Sequence, residues 1–201
     1  MKTVCQSSRL EWLTPNAMQV IEKAGRTCYK SEDKMTPGSS ARLVRQLLQS
    51  KHESVIEHAS ASFRFITDRG VTHELVRHRL ASFSQESTRY CNYGKDKFGS
   101  EITVVRPVGV VGLALDIWHQ GCLATEKAYF LMLESGATPQ IARSVLPNSL
   151  KTEIVVTANL REWRHIFTLR TAKAAHPQMR ELAQQALDIM RGELPVLFED
   201  I

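Results

Sequence analysis

The clearest pattern along the chain is an alternation of apolar and polar side chains over residues 59–66. The apolar positions are Ala59, Ala61, Phe63 and Phe65. Because successive side chains of a strand point to opposite faces, this alternation predicts a half-buried β-strand. β-Branched residues predict a second strand over residues 151–158, and a proline ends a short third strand over residues 101–105.

An apolar repeat of about 3.6 residues predicts helices along most of the remaining chain. They cover residues 15–25, 39–50, 72–80, 110–134, 139–147 and 159–170, with a final helix after Pro177. Thr14 is the predicted N-cap of the first, and Asn159 with Glu162 forms a capping box. Residues 83–99 are predicted as a loop. Strands interspersed with helices, without regular βαβ alternation, favour an α+β fold, and no linker divides residues 1–201, so we expect a single domain.

The face that the longest predicted helix turns toward the core is apolar. It consists of Leu115, Trp118, Cys122, Tyr129 and Met132. Such a stripe is typical of an ordinary core helix and is equally compatible with packing against another subunit.

The composition is that of a globular protein with a basic balance. Of 201 residues, 43% are hydrophobic and 23% charged, and the formal net charge is +5. No apolar run reaches the roughly 18 residues of a membrane span, and no signal-peptide core is visible, so we expect a cytoplasmic protein without a membrane partner. The four cysteines form no CxxC pair, which argues against a zinc site or a disulfide framework.

Positive charge is concentrated in residues 64–89 and 161–170. It suits small polyanions as well as nucleic acid, and charge alone does not choose between them. No DNA-binding or RNA-binding module is visible, so we expect no nucleic-acid partner.

Residues 77–90 combine three arginines, a histidine and several hydroxyl side chains. Planar guanidinium donors match the geometry of phosphate, so the run predicts an anion site. A solvated basic face would have the same charge density. However, Leu75, Val76 and Leu80 interleave with the charges, which indicates that part of the run lies against a core.

Two segments contain histidines near glutamates but lack metal-site spacing. His52 and His58 are six positions apart, and His73 and His78 are five apart. The HExxH pattern of zinc enzymes needs a spacing of four, and Arg77 would repel a cation. We therefore predict no metal.

Arg77, His78 and Arg79 are followed, after seven intervening residues, by Ser87. This spacing resembles the signature of the flavin-dependent thymidylate synthases. Segments 24–29, 52–58, 159–170 and 175–182 are also similar to that family, so the resemblance covers nearly the whole chain. It implies a largely antiparallel sheet flanked by helices. It also implies a homotetramer with shared active sites.

The activity implied by the resemblance is reductive methylation of dUMP to dTMP. The implied cofactor is FAD as redox carrier, with NADPH as reductant and 5,10-methylenetetrahydrofolate as carbon source. Arg170 would stabilise charge developing at the pyrimidine N3, which a permanently protonated guanidinium can do. From spacing alone, the polar side of helix 159–170 could equally be a solvated face.

The resemblance also implies binding residues. Flavin contacts are implied for His52, Ser54, Arg77, His78, Arg79, Gln85, Asn159, Arg161 and His165. Nucleotide contacts are implied for Glu74, Arg77, Gln85, Glu86, Ser87, Thr88, Arg89, Arg143 and Arg170. We interpret Ser87 as a hydrogen-bonding group, since a nucleophilic serine needs a positioned base that the sequence does not reveal. Two positions depart from the family pattern: Glu74 stands where some members have glutamine, and Gln85 where many have glutamate.

Two alternatives remain open at the level of sequence. One is a UMP/dUMP C5-methylase of a specialised pathway, because no residue here identifies the group that senses the ribose 2′-hydroxyl. The other is a basic nucleic-acid-binding protein without catalysis.

Overall fold

The computed structural model describes residues 1–95 and 99–201, so residues 96–98 of the predicted loop lie outside the described residues. The chain forms two compact units, each assembled from three chain segments. Unit 1 comprises Met1–Ser7, Phe65–Arg77 and Ser84–Ile154, and unit 2 comprises Ser8–Arg64, His78–Phe83 and Val155–Ile201. A single domain over residues 1–201 stays a prediction.

Strands and helices alternate irregularly along the chain. The strands are β1 (Lys2–Val4), β2 (Ser7–Leu13), β3 (Ser60–Asp68), β4 (Ala81–Gln85), β5 (Thr103–Val105) and β6 (Lys151–Asn159). The helices are α1 (Ala17–Thr27), α2 (Ser39–Gln49), α3 (Arg69–Leu75), α4 (Gly112–Glu134), α5 (Pro139–Ala142), α6 (Leu160–Arg170), α7 (Pro177–Glu193) and α8 (Pro195–Phe198).

Four of the strands form one sheet in the order β2-β3-β6-β4. The Leu160 N–H donates to the Ala59 carbonyl at 2.8 Å, and Thr157 Oγ1 bonds Ser62 Oγ at 2.9 Å, so β3 and β6 run antiparallel. The α+β fold is therefore confirmed. A second, two-stranded sheet pairs β1 with β5 in parallel, which the expectation of an antiparallel sheet did not include.

The two long predicted strands are confirmed, and so is their alternation. The predicted inward residues of the first, Ala59, Ala61, Phe63 and Phe65, are all buried. Along β6 every second residue is buried, from Thr152 to Ala158. The periodicity of two was therefore a sufficient signal in the middle of the sheet.

Several boundaries were predicted wrongly. Strands β1, β2 and β4 were not predicted: β1 has only three residues, and none of the three strands contains a fully buried residue that would mark an apolar alternation. Helix α3 begins three residues earlier than expected because the Asp68 carboxylate caps it, accepting from the Val71 N–H at 2.7 Å. It ends at Leu75, before the predicted residue 80. Thr14 is not the N-cap of α1: Asn16 is, and Thr14 exchanges hydrogen bonds with Ser60 instead.

In unit 2 a stack of aromatic rings fixes α6. The ring centroid of Trp163 lies 5.0 Å from that of Phe63 on β3 and 5.4 Å from that of Phe167. Trp163 Nε1 also donates to the Ala61 carbonyl at 3.0 Å. Because both the apolar face and the polar atom of the tryptophan are satisfied, α6 is held firmly in rotation and in position along its axis.

In unit 1 the core gathers around α4. The buried residues are Tyr93, Ile102, Val104, Cys122, Tyr129, Ala142 and Leu150. Trp118 and Met132 pack against them partly buried, and Leu115 is also partly buried, so the predicted inner face of the long helix is confirmed. Leu113, Ile117 and Leu131 on the same helix are exposed. None of the described helices is both long and apolar enough to cross a membrane.

Candidate active site

The first turn of α6 is fixed by its cap. Asn159 Oδ1 accepts a hydrogen bond from the Glu162 N–H at 2.8 Å, which confirms the N-cap half of the predicted capping box. The Glu162 side chain is buried and its carboxylate lies 3.4 Å from Nδ1 of His78. The predicted capping glutamate thus faces a residue of the arginine-histidine-arginine run.

The last residue of α6 meets the same histidine from the other side. Arg170 Nε donates to His78 Nε2 at 2.9 Å. His78 is 6% exposed, and its ring centroid is 5.9 Å from that of His165. Burial, together with the charges of Arg170 and His165, lowers the pKa of His78 from 6.5 to about 4. At neutral pH His78 is therefore an uncharged imidazole with a defined tautomer.

His78, Glu162 and His165 each place one potential metal-ligand atom within 4.8 Å of the others. The hydrogen bond from Arg170 argues against a metal in this arrangement. It occupies the Nε2 lone pair of His78, so the proton of the neutral ring is on Nδ1, and a protonated nitrogen cannot ligate. Instead, His78 accepts from Arg170 Nε, lies 3.4 Å from the Glu162 carboxylate and contacts the His165 ring.

A cleft of about 630 Å³ opens beside this group in unit 2. It is lined by Glu53, Glu57, Leu80, Asn159, Arg161, Glu162, Arg164, His165 and Thr168. Its volume is in the range of sites for small molecules and cofactors. Asn159, Arg161 and His165, three of the residues expected to contact flavin, therefore line one cavity.

Arg161 has acidic partners within the cleft. Its Nη1 donates to Glu57 at 2.6 Å, and its Nε lies 3.5 Å from a Glu53 carboxylate oxygen. The Glu57 hydrogen bond raises the pKa of Arg161 above its ordinary value. An anionic ligand at Arg161 would have to compete with these two carboxylates. His52 and Ser54, also expected at the flavin, are exposed on either side of Glu53.

Unit 1 contains a second cleft, of about 340 Å³. It is lined by Arg69, His73, Thr88, Arg143, Ser144, Leu146, Pro147, Asn148 and Leu150. Arg143 Nη1 bonds Thr88 Oγ1 at 3.2 Å, so two predicted nucleotide-binding residues are in contact. Two guanidinium groups, an imidazole and a hydroxyl facing one cavity can bind an anion.

The segment after β4 is held by side-chain hydrogen bonds within unit 1. Glu86 accepts from the Tyr93 hydroxyl and from Lys151 Nζ, both at 3.1 Å. Burial and the Glu86 charge raise the pKa of Tyr93 well above 10. In this structure Glu86 therefore supports the segment that carries the nucleotide-binding candidates.

The neighbouring candidates also have partners within unit 1. Gln85 Nε2 donates to Thr72 Oγ1 at 2.9 Å and lies 3.3 Å from Thr152 Oγ1. Ser87 Oγ accepts from the Arg89 N–H at 3.3 Å, and Arg89 Nε donates to Gln140 at 3.2 Å. These contacts hold the segment in place.

The structure divides the predicted site residues between the two units. Unit 2 contains His52, Ser54, His78, Arg79, Asn159, Arg161, His165 and Arg170. Unit 1 contains Glu74, Arg77, Gln85, Glu86, Ser87, Thr88, Arg89 and Arg143. Within unit 2, His78 and Arg170 are brought into contact. Arg79 is exposed in unit 2, and Arg77 is exposed at the end of α3 in unit 1.

Sequence analysis did not identify three residues of these sites. Glu162 was interpreted only as part of a capping box, although its position three residues before His165 placed both on one face of a helix. Arg69 and His73 are four apart on α3 and share a helical face in the same way. A spacing of three or four residues within a helix was the sequence signal that could have identified both pairs.

Comparison with known proteins identifies the family to which the chain belongs. The family model described as Thy1, thymidylate synthase complementing protein, matches residues 9–196. The chain belongs to this family, and the resemblance to flavin-dependent thymidylate synthases is confirmed.

Individual relatives match most of the chain. The flavin-dependent thymidylate synthase of Geobacter sulfurreducens is 33% identical over 194 residues, covering 93% of this chain and 83% of that protein. The corresponding enzyme of Mycolicibacterium vanbaalenii is 38% identical over 202 residues, covering 90% and 78%.

Solved structures share the fold. A UMP/dUMP methylase, PolB, from Streptomyces cacaoi bound with 5-Br dUMP has a TM-score of 0.82 and 26% identity, covering 99% of this chain and 96% of that one. Thymidylate synthase X from Helicobacter pylori with FAD and dUMP has a TM-score of 0.79 and 26% identity, covering 97% and 98%.

Proposed function

We propose that this protein is a flavin-dependent thymidylate synthase that methylates dUMP to dTMP. The observation that carries the proposal is the contact of Arg170 with His78 at the end of a helix whose Asn159, Arg161 and His165 line a cofactor-sized cleft. These residues are the matches to the family's flavin-binding and pyrimidine-activating positions. Family membership supports an enzyme rather than a binding module.

FAD fits the unit 2 cleft by its donor set. Amide, guanidinium and imidazole groups at Asn159, Arg161 and His165 can bind the polar parts of a dinucleotide, and exposed Arg79 adds a guanidinium for phosphate. When bound, FAD would carry electrons from NADPH to the one-carbon unit supplied by 5,10-methylenetetrahydrofolate. We also propose flavin-binding roles for His52 and Ser54 of unit 2 and, separately, for Arg77 and Gln85 of unit 1.

Arg170 is the group we propose to activate the pyrimidine. Its guanidinium stays protonated at any working pH and can stabilise negative charge that develops at N3 and O4, which makes C5 electron-rich. The bond from its Nε to His78 restricts the side chain, so the planar fork is oriented before the nucleotide arrives.

The unit 1 cleft is the part we propose to bind the phosphate of dUMP. Arg143 and Thr88 are already in contact there, and Arg69 and His73 face the same cavity. Glu74, Gln85, Glu86, Ser87 and Arg89 complete the proposed nucleotide-binding set. Arg69 Nη1 is 3.3 Å from the Glu86 carbonyl oxygen, which connects the cleft to that segment.

We propose a homotetramer with active sites shared between subunits, located in the cytoplasm. The exposed apolar side chains Leu113, Ile117 and Leu131 of α4 support association with further copies. Mixing inactive Arg79→Ala and Arg170→Ala chains tests the sharing. If the two residues serve one site from different subunits, re-formed tetramers contain some sites with neither defect and regain part of the activity. Light scattering that shows a fully active monomer contradicts the shared site.

The activity is tested by product analysis with dUMP, 5,10-methylenetetrahydrofolate and NADPH, with UMP assayed in parallel. We expect dTMP as the product. We also expect a yellow protein, because bound flavin absorbs at roughly 450 nm. A colourless protein that forms no dTMP after addition of FAD would overturn the proposal. Efficient methylation of UMP would instead assign the specialised UMP/dUMP methylase activity.

A further inference from the structure

We infer that Glu162 is a positioning residue for Arg170, acting through His78: its carboxylate holds the histidine in the tautomer whose Nε2 accepts the hydrogen bond from Arg170. This inference rests on the proposed function, in which Arg170 activates the pyrimidine.

The hydrogen bond from Arg170 Nε determines the tautomer of His78. A guanidinium offers only donors, so the 2.9 Å contact between Arg170 Nε and His78 Nε2 requires an unprotonated Nε2. A neutral ring then has its proton on Nδ1. That nitrogen faces Glu162 Oε1 at 3.4 Å, the acceptor that this tautomer needs.

Glu162 is held in place independently of His78. Its backbone N–H is bound by Asn159, and the adjacent Trp163 is fixed in the aromatic stack. The side chain is only 7% exposed, and burial raises the pKa of the carboxyl above its ordinary value. The cap at Asn159 needs only a backbone N–H from this position, so the buried carboxylate is not explained by helix capping.

Loss of the acceptor would affect Arg170 directly. Without a partner at Nδ1, the His78 proton can move to Nε2, where it would oppose the Arg170 Nε–H, because both groups are donors. Arg170 would then lose its support at Nε. The Asn159 cap and the Trp163 stack would remain, so the fold and the flavin cleft are expected to persist.

The test compares Glu162→Leu, which removes the acceptor, with Glu162→Gln, whose amide oxygen restores it. Both variants are expected to bind FAD as wild type does. We expect Glu162→Leu to lower kcat at least about tenfold with little change in KM for dUMP, and Glu162→Gln to recover most of the turnover. Glu193→Leu, at the exposed end of α7, is the matched control and should retain wild-type kcat.

A double-mutant cycle with Arg170→Lys separates positioning from a general structural effect. If Glu162 acts through Arg170, adding Glu162→Leu to Arg170→Lys should lower kcat by less than about twofold. An equal loss in both backgrounds overturns the inference, as does a Glu162→Leu enzyme with normal kcat. If Glu162→Leu does not fold, Glu162→Ser, whose hydroxyl is too short to reach His78, takes its place with the same expected outcomes.

The two proposals fail in different ways. Wild-type protein that forms no dTMP contradicts the proposed function. Active wild-type protein with a fully active Glu162→Leu variant contradicts only the positioning by Glu162.

Discussion

Arg170 donates a 2.9 Å hydrogen bond from Nε to Nε2 of His78, a residue 92 positions earlier in the chain. The bond joins the arginine-histidine-arginine run to the end of α6. Since His78 is buried and neutral, it gives the Arg170 guanidinium a fixed acceptor at Nε. This contact is the basis of the first two predictions.

Replacing Arg170 with alanine should remove most turnover while leaving flavin binding in place. The guanidinium is needed mainly when charge develops on the pyrimidine, so its loss affects kcat more than ground-state binding. Arg170→Lys should also be poor, because an ammonium cannot reproduce the planar fork. Steady-state kinetics and flavin absorbance measure the two effects. Arg45→Ala, which removes an exposed arginine elsewhere in unit 2, is the control. Near-normal turnover of Arg170→Ala would exclude the proposed role of Arg170.

The neutral His78 should make the protein less stable in mild acid. Its pKa in the folded chain, about 4, lies below the ordinary histidine value of 6.5, so between these pH values the unfolded chain binds a proton that the folded chain does not. Stability from this group is complete above about pH 6.5 and falls as the pH approaches 4. From about pH 7 to about pH 5 the loss should be about 2 kcal/mol.

Urea unfolding at the two pH values measures this loss. In His78→Gln the pH dependence should be weaker than in wild type by about the same amount, about 2 kcal/mol. His58→Gln, at an exposed histidine, should behave as wild type. An unchanged pH dependence in His78→Gln would show that His78 is not held neutral.

Substitutions in the anion cleft of unit 1 should weaken dUMP binding rather than slow the chemical step. Arg143→Ala should raise KM for dUMP about tenfold or more, since a charge-assisted hydrogen bond to phosphate contributes about 1.5–3 kcal/mol. Thr88→Val, which removes the hydroxyl that contacts Arg143, should have a smaller effect in the same direction. Lys2→Ala removes an exposed charge in unit 1 as a control. Unchanged KM in Arg143→Ala would place the phosphate elsewhere.

Gln85 is matched to its surroundings, although many family members have glutamate there. Its Nε2 donates to Thr72 Oγ1, and the Thr72 hydroxyl proton is already donated to the Arg69 carbonyl at 3.0 Å. A carboxylate cannot donate, so Gln85→Glu should lower the free energy of unfolding by about 1–3 kcal/mol. Thermal or urea unfolding measures the stability of Gln85→Glu and of Gln120→Glu, a control at an exposed glutamine. Equal stability of the two variants would contradict the prediction.

Ser87 should behave as a binding and polarising group. Its hydroxyl accepts from the Arg89 N–H, a contact that positions no base on it. Ser87→Ala should therefore be impaired but measurably active in the dTMP assay. Detection by mass spectrometry of a nucleotide covalently bound to Ser87 would overturn this interpretation.

The predicted elements that proved correct are those whose signal is local. The alternation at residues 59–66 and the Asn159 cap are properties of a few neighbouring side chains, so they were visible without the fold. Strand β4 was missed because its few residues are stabilised by pairing with β6, which sequence periodicity does not reveal. The Thr14 cap failed for a similar reason, since Ser60, 46 positions away, competes for its hydroxyl.

By itself, the sequence determined the α+β class and the family, and it singled out the arginines that we propose to bind an anion, because periodicity and motif spacing are encoded in short segments. Only the tertiary structure decided which of these side chains meet. The alignment of Arg170, His78 and Glu162 depends on α6 being fixed by Trp163 against Phe63, and its consequence, a neutral buried histidine, depends on desolvation. The burial of His78 and the direction of its hydrogen bonds depend on segments far apart in the chain, so no spacing in the sequence could reveal them.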